Sequence, residues 1–156
     1  MYFEIFKYFP VRAEESYKIK VTNNQREASQ EVDEEKHNYI YVPTARNTAG
    51  TYYQIHFKTN NNGTRNRPLS LKLTNKIRSY MEANNIDSGD TLFTVSRLKK
   101  QIETFLKDAT GDEKLQPNYL RHAMASEHPE SLDMANAMNH NLETHKTYVR
   151  VLKDAR

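Results

Sequence analysis

Apolar and polar positions first alternate along this chain and then change period. The opening "MYFEIFKYF" is rich in aromatic residues at helical spacing and is stopped by Pro10. "SYKIKV" (16–21) reads as a short strand or a buried turn, and the polar run 23–38 reads as a loop or insertion. Three strand-like pieces follow. "YIYV" (39–42) is aromatic and β-branched. "TYYQIHF" (51–57) alternates through Tyr53, Ile55 and Phe57. "RPLSLKL" (67–73) alternates through Leu69, Leu71 and Leu73. Between the last two pieces, "KTNNNGTRN" carries an Asn-Gly turn signal. This predicts an antiparallel meander of three strands.

Beyond it the period becomes helical. Leu73, Ile77, Tyr80 and Met81 form one stripe, and Leu98, Ile102, Phe105 and Leu106 form another, with Gly111 near the end of the second. Pro117 is placed to begin a third helix, in which Leu120, Ala123 and Met124 would face the core. "LDMANAM" predicts a short fourth helix and "LETHKTYVRVLK" a fifth. A small sheet followed by several helices is an α+β arrangement, and 156 residues suffice for one domain.

Composition narrows the function classes. The hydrophobic fraction is 37%, and 10 Tyr with 6 Phe argue for a packed core rather than disorder. The formal net charge is +3, which permits an anionic partner without demanding one. Charge is uneven along the chain: "EVDEEK" (31–36) is acidic, whereas the turn region and the last eleven residues lean basic. There is no cysteine, which excludes disulfides, zinc–thiolate sites and a Cys nucleophile. No run is apolar enough to span a bilayer, and the N-terminus is too short and mixed for a signal peptide. We therefore expect an intracellular protein with no membrane partner.

The candidate chemistry is cationic. Arg121 lies at the edge of the third helix's apolar face. Its guanidinium can clamp a phosphate with two parallel hydrogen bonds, or pair with a carboxylate. His140 follows the short fourth helix, where a histidine can serve the helix terminus or a ligand. Tyr148 shares a helical stripe with His145 and Leu152, as a core tyrosine would. As a nucleophile, its phenol would need nearby cations or a base. Lys58 stands before the turn, either solvated or reaching over a bound backbone, and Arg65 and Arg67 across the turn can add phosphate contacts.

The order of these residues carries a resemblance. With Arg12 and Glu15 in "PVRAEES", Lys58 in "HFKTNNNGTRNRPLSL", Arg121 and His122 in "YLRHAMAS", His140 in "MNH" and Tyr148 in "HKTYVR", the chain resembles the catalytic domain of the tyrosine recombinases, or phage-type integrases. The resemblance runs over nearly the whole chain and is most specific in its C-terminal motifs. It implies one α+β catalytic domain over 1–156, a three-stranded antiparallel sheet followed by a helical bundle. Little precedes Arg12, so we expect a fragment lacking the N-terminal DNA-binding domain and the first catalytic-domain helices.

The implied activity is site-specific recombination or integration of double-stranded DNA, as in a mobile element. Tyr148 would form a 3′-phosphotyrosine intermediate. Arg12 and Arg121 would hold the non-bridging oxygens, Lys58 would protonate the leaving 5′-oxygen, and His140 would hydrogen-bond the phosphate. Such chemistry uses no metal and no cofactor. Family members act as tetramers on DNA, while a fragment alone would be monomeric. The sequence departs from the family pattern at Asn118, where a histidine three residues before Arg121 is usual; the base role then passes to His122, His145 or water. Arg26 is a rival for the first arginine but lacks a Glu three positions on. Two neighbouring readings share these residues: a type IB topoisomerase-like nicking and resealing enzyme, and a non-catalytic DNA-binding relative.

Overall fold

The computed structural model describes residues 1–8, 10, 12, 16–29, 37–55, 65–112, 118–138 and 142–148; Tyr8, Arg65, residues 95–97, Ala137, Thr147 and Tyr148 enter through their backbone. The chain forms two compact units. One comprises residues 14–95 with residue 1, and the other residues 2–13 and 96–156.

The first unit is built on a four-stranded sheet: β1 (Ile19–Thr22), β2 (Asn38–Tyr41), β3 (Thr51–Gln54) and β4 (Arg65–Pro68), ordered in space as in the chain. The β2–β3 and β3–β4 pairs are antiparallel, matching the expected meander, but β1 adds a parallel pair with β2. The sheet is therefore mixed, with four strands instead of three. A parallel neighbour requires a crossover rather than a hairpin, and residues 23–37, expected as an insertion, supply it. Within this crossover lies α2 (Gln25–Ala28). Asn24 caps it by accepting from the backbone N–H groups of Arg26 and Glu27. The outer edge of β1 is also covered: the backbone N–H of Leu92 donates to Ile19 and that of Gly89 to Val21, while Val21 donates to Asp90. Pairing both sides of β1 removes an exposed edge.

Side chains on the two faces follow the register. Val21, Ile40 and Tyr52 lie side by side across three strands and are buried. On the other face, Tyr39 and Tyr53 pack with Ala28 of α2 and Ile55, with Tyr41 at the margin. The buried Asn38 is satisfied by accepting from the Ile55 N–H at 2.8 Å.

The last strand, β4, ends earlier than the alternation of Leu69, Leu71 and Leu73 predicts. Ser70 accepts from the Leu73 N–H and caps α3 (Leu71–Asn84), so the chain turns helical at Leu71. Leu71 is then exposed while Leu73, Thr74 and Ile77 are buried. The 3.6-residue stripe prevails because a cap satisfies a helix donor that a strand would leave to the sheet. The helix ends at Asn85, the non-glycine residue in a left-handed conformation (φ 51°) among the described residues.

The loop 43–50 is locked onto α3. The guanidinium of Arg78 donates through Nη2 to the carbonyls of Pro43 (2.7 Å) and Ala45 (3.3 Å). The Gly50 N–H donates to the hydroxyl of Thr74 at 2.9 Å, and that hydroxyl donates to the Ser70 carbonyl. A Cβ at position 50 would lie 2.3 Å from the Tyr41 carbonyl oxygen, so only glycine fits this approach.

In the second unit, α1 (Tyr2–Tyr8) and α4 (Val95–Thr110) meet at Phe3 and Phe105, whose ring centroids are 4.4 Å apart. Leu98, Ile102 and Leu106 are buried, as their spacing predicts, but Phe105 is 46% exposed. It occupies the margin of the stripe and is covered on one side by Phe3. Gly111, at φ 74°, closes α4 by donating to the Lys107 carbonyl at 2.7 Å. Three further short helices are described in this unit: α5 (Tyr119–Glu127), α6 (Leu132–Ala137) and α7 (Leu142–Tyr148).

Thr74→Val keeps the shape of the buried side chain and leaves the Gly50 N–H without its acceptor. We expect a loss of about 1–3 kcal/mol, read as a lower urea midpoint at unchanged m-value.

Candidate active site

The C-terminal candidates lie on α5, α6 and α7. Both α5 and α6 pack against α7. Helices of nine, six and seven residues do not persist alone in water, so their contacts with one another decide the local geometry. Ser131 caps α6 by accepting from the Met134 N–H, and α5 is entered through the Asn118 carbonyl, which accepts from Arg121 and His122.

Arg121 lies further inside than the sequence pattern predicts. Together with Ala125 it forms the buried face of α5, whereas Ala123 is exposed and Leu120 and Met124 are half-buried. The helix is thus rotated relative to the expected core face of Leu120, Ala123 and Met124. The guanidinium is not extended into an open cleft: Arg121 is 3% exposed and donates through Nη2 to the carbonyl of Met138 at 2.9 Å. A buried guanidinium must be hydrogen-bonded, and the C-cap carbonyl of α6 is a natural acceptor at the negative end of a helix. This bond holds α5 to the end of α6, two residues before His140.

His145 makes the reciprocal connection from α7. It is fully buried, and its Nε2 lies 2.9 Å from the carbonyl of His128, the C-cap of α5. A carbonyl only accepts, so Nε2 carries the proton. That bond fixes the ring one turn before Tyr148. Asn118 is exposed at the start of α5, with no side-chain capping bond, and His122 is half-buried beside Arg121.

The remaining candidates are distributed as follows. Arg12 is half-buried in the second unit. Arg65 and Arg67 lie on β4 of the first unit, opposite Gln54 and Tyr52, and Arg67 is half-buried. Arg26, the rival for Arg12, is exposed on α2. Lys58, Glu15 and His140 lie outside the described residues, and Tyr148 is placed by its backbone as the last residue of α7. The structure therefore brings together Arg121, His122, His145 and the Tyr148 position in one group of three helices. The anchoring roles of Arg121 and His145 are not written in their spacing, since both depend on carbonyls of distant residues. The one local hint was the helical stripe that pairs His145 with Tyr148.

Among the described residues, no group of three or more His, Cys, Asp or Glu side chains is placed to hold a metal ion. No described helix is long and apolar enough to cross a membrane. No family model matches the chain, and no curated protein or solved structure shows significant similarity to it.

His145→Ala should lower stability by about 2–4 kcal/mol, by loss of a buried side chain and its bond. His145→Gln, which keeps an amide donor near the Nε2 position, should recover about 1 kcal/mol of that loss. Chemical denaturation of the two variants side by side checks both values.

Proposed function

We propose that this chain breaks and rejoins DNA strands as a catalytic domain of the tyrosine recombinase type. The reading rests on the order Arg12, Lys58, Arg121, His140, Tyr148 in the sequence. The observation that carries it is the Arg121 anchor. A bond from α5 to the Met138 carbonyl holds the arginine helix at the segment leading to His140, and α7, ending at Tyr148, packs against the same helix. Arg121 and the Tyr148 position, 27 residues apart, thus belong to one small helical group. In this reading, the Tyr148 oxygen attacks the scissile phosphorus and the 5′-oxygen leaves. Arg12 and Arg121 neutralise charge on the non-bridging oxygens, and Lys58 supplies the proton to the leaving group. The phenolic proton passes to His122, to His145 or to water, since Asn118 cannot accept it; the Nε2 of His145 donates to the His128 carbonyl, so only its Nδ1 has the lone pair of a base. The phosphotyrosine keeps the bond energy, so religation to a second strand needs no nucleotide cofactor.

A second reading has its own observation. Arg121 is 3% exposed and is held by a backbone carbonyl, as a purely structural arginine would be. The corresponding function is a DNA-binding relative that has lost strand cleavage.

A nicked suicide substrate separates the two. The native chain should form a covalent protein–DNA adduct, and Tyr148→Phe should abolish it while binding the duplex equally well. Binding without any adduct in the native chain selects the non-catalytic reading. An adduct that survives Tyr148→Phe rejects Tyr148 as the nucleophile.

A further inference from the structure

Charge in the first unit is segregated far more sharply than a net +3 implies. From residue 37 to residue 81 the sequence holds seven cationic side chains (Arg46, Lys58, Arg65, Arg67, Lys72, Lys76 and Arg78) and no Asp or Glu. All 20 acidic residues lie outside this stretch, together with the other 16 of the 23 Lys and Arg. The stretch folds as β2, β3, β4 and most of α3, one continuous part of one unit.

The structure concentrates part of this charge on one face. Lys72, Asn75, Lys76 and Ser79 stand at i, i+3, i+4 and i+7 on α3 and are all exposed. They lie opposite the buried Leu73, Thr74 and Ile77. The loop 43–50 flanks this face, because Arg78 donates both to Asn75 and to the loop carbonyls of Pro43 and Ala45. Arg46, on that loop, has a side chain 83% exposed; its contact with Glu82 at 3.8 Å is a solvated pair that holds it weakly. The helix macrodipole does not account for Lys72. Lys72 stands in the first turn, where the macrodipole disfavours a cation, and no basic residue occupies the last turn.

We propose that the Arg46–Lys72–Asn75–Lys76–Ser79 face is a nucleic-acid-binding surface that grips the phosphate backbone of a double-stranded DNA. The choice of DNA rests on the proposed function; the surface itself does not depend on Tyr148. Lys72 and Lys76, with Cβ atoms about 5–6 Å apart along the helix, suit adjacent phosphates of one strand, while the Asn75 amide, whose oxygen accepts from Arg78, and Ser79 one turn further on add neutral donors. A lipid surface fits less well. A membrane-binding helix needs an outward apolar face, and α3 turns its apolar stripe into the unit, leaving Leu71 as an isolated exposed apolar side chain.

The test is duplex binding across a salt series, by fluorescence polarisation with a labelled 20-base-pair DNA of arbitrary sequence. Lys72→Gln combined with Lys76→Gln should weaken binding about tenfold and reduce the slope of log K against log salt by roughly two. Lys99→Gln combined with Lys107→Gln, on exposed positions of α4, should leave both quantities unchanged. Equal melting of the two double variants and the native chain shows that folding is not the cause. An unchanged slope in the Lys72/Lys76 variant overturns the surface, as does native binding to phosphatidylserine vesicles in place of DNA. Adduct formation is scored separately. Slope loss without any native adduct leaves the surface standing and removes the cleavage reading. An adduct with unaltered slope does the reverse.

Discussion

Three helices of six to nine residues cannot hold themselves together, and the candidate site depends on what replaces their missing intrinsic stability. The replacement is a pair of side-chain bonds to helix-terminal carbonyls. Arg121 reaches from α5 to the C-cap of α6, and His145 reaches from α7 to the C-cap of α5. Each bond satisfies a carbonyl that a helix end leaves without an intrahelical partner. Each also fixes the relation of two elements that the chain joins only by short connections. Arg121 shows how the same chemistry serves two purposes. A guanidinium that binds a carbonyl oxygen is equally suited to a phosphate oxygen, and its burial removes competition from water. The anchor that builds the helical group also keeps a buried guanidinium within it.

The first unit solves a different problem by the same means. A sheet with β1 in parallel with β2 requires a crossover between them, and the described start of that connection, residues 23–29, holds α2. The short helix α2 uses that passage to bury Ala28 against Tyr39 and Tyr53. The loop after β2 then returns along α3. There Arg78 satisfies two loop carbonyls and Thr74 satisfies the Gly50 N–H, so a segment with no regular structure is tied at both ends. Because α3 spends its apolar side inward, its outer side is free to carry charge. The acid-free run of 37–81 places lysines on that outer side. Fold and electrostatics are thereby separated on opposite faces of one helix.

Much of the architecture was legible in the pattern of residues. The stripes Leu73–Ile77 and Leu98–Ile102–Leu106 marked α3 and α4, Gly111 marked a helix end, and the two antiparallel pairings were readable from alternation. The failures have physical causes. "RPLSLKL" fits both a strand and a helix start, and the Ser70 cap decides between them. The parallel partner of β2 was not legible, because pairing direction depends on the path of the intervening chain. Arg121 was placed at the edge of the core because a charged side chain is seldom fully buried. Its acceptor, the Met138 carbonyl, carries no side-chain signature.

The sequence by itself determined the local elements, the absence of cysteine chemistry and the ordered set of cations that ends at Tyr148. These are properties of residue type and spacing, and neighbours a few positions apart suffice to express them. Only the tertiary structure decided that the sheet has a fourth, parallel strand, that Arg121 faces inward, and that His145 binds the end of α5. The last two outcomes depend on backbone carbonyls brought close from 17 positions away in the chain, and the first on strands whose partners are 19 positions apart. Every residue has the same carbonyl, so which histidines and arginines act together is decided by folding, which selects the acceptor each of them meets.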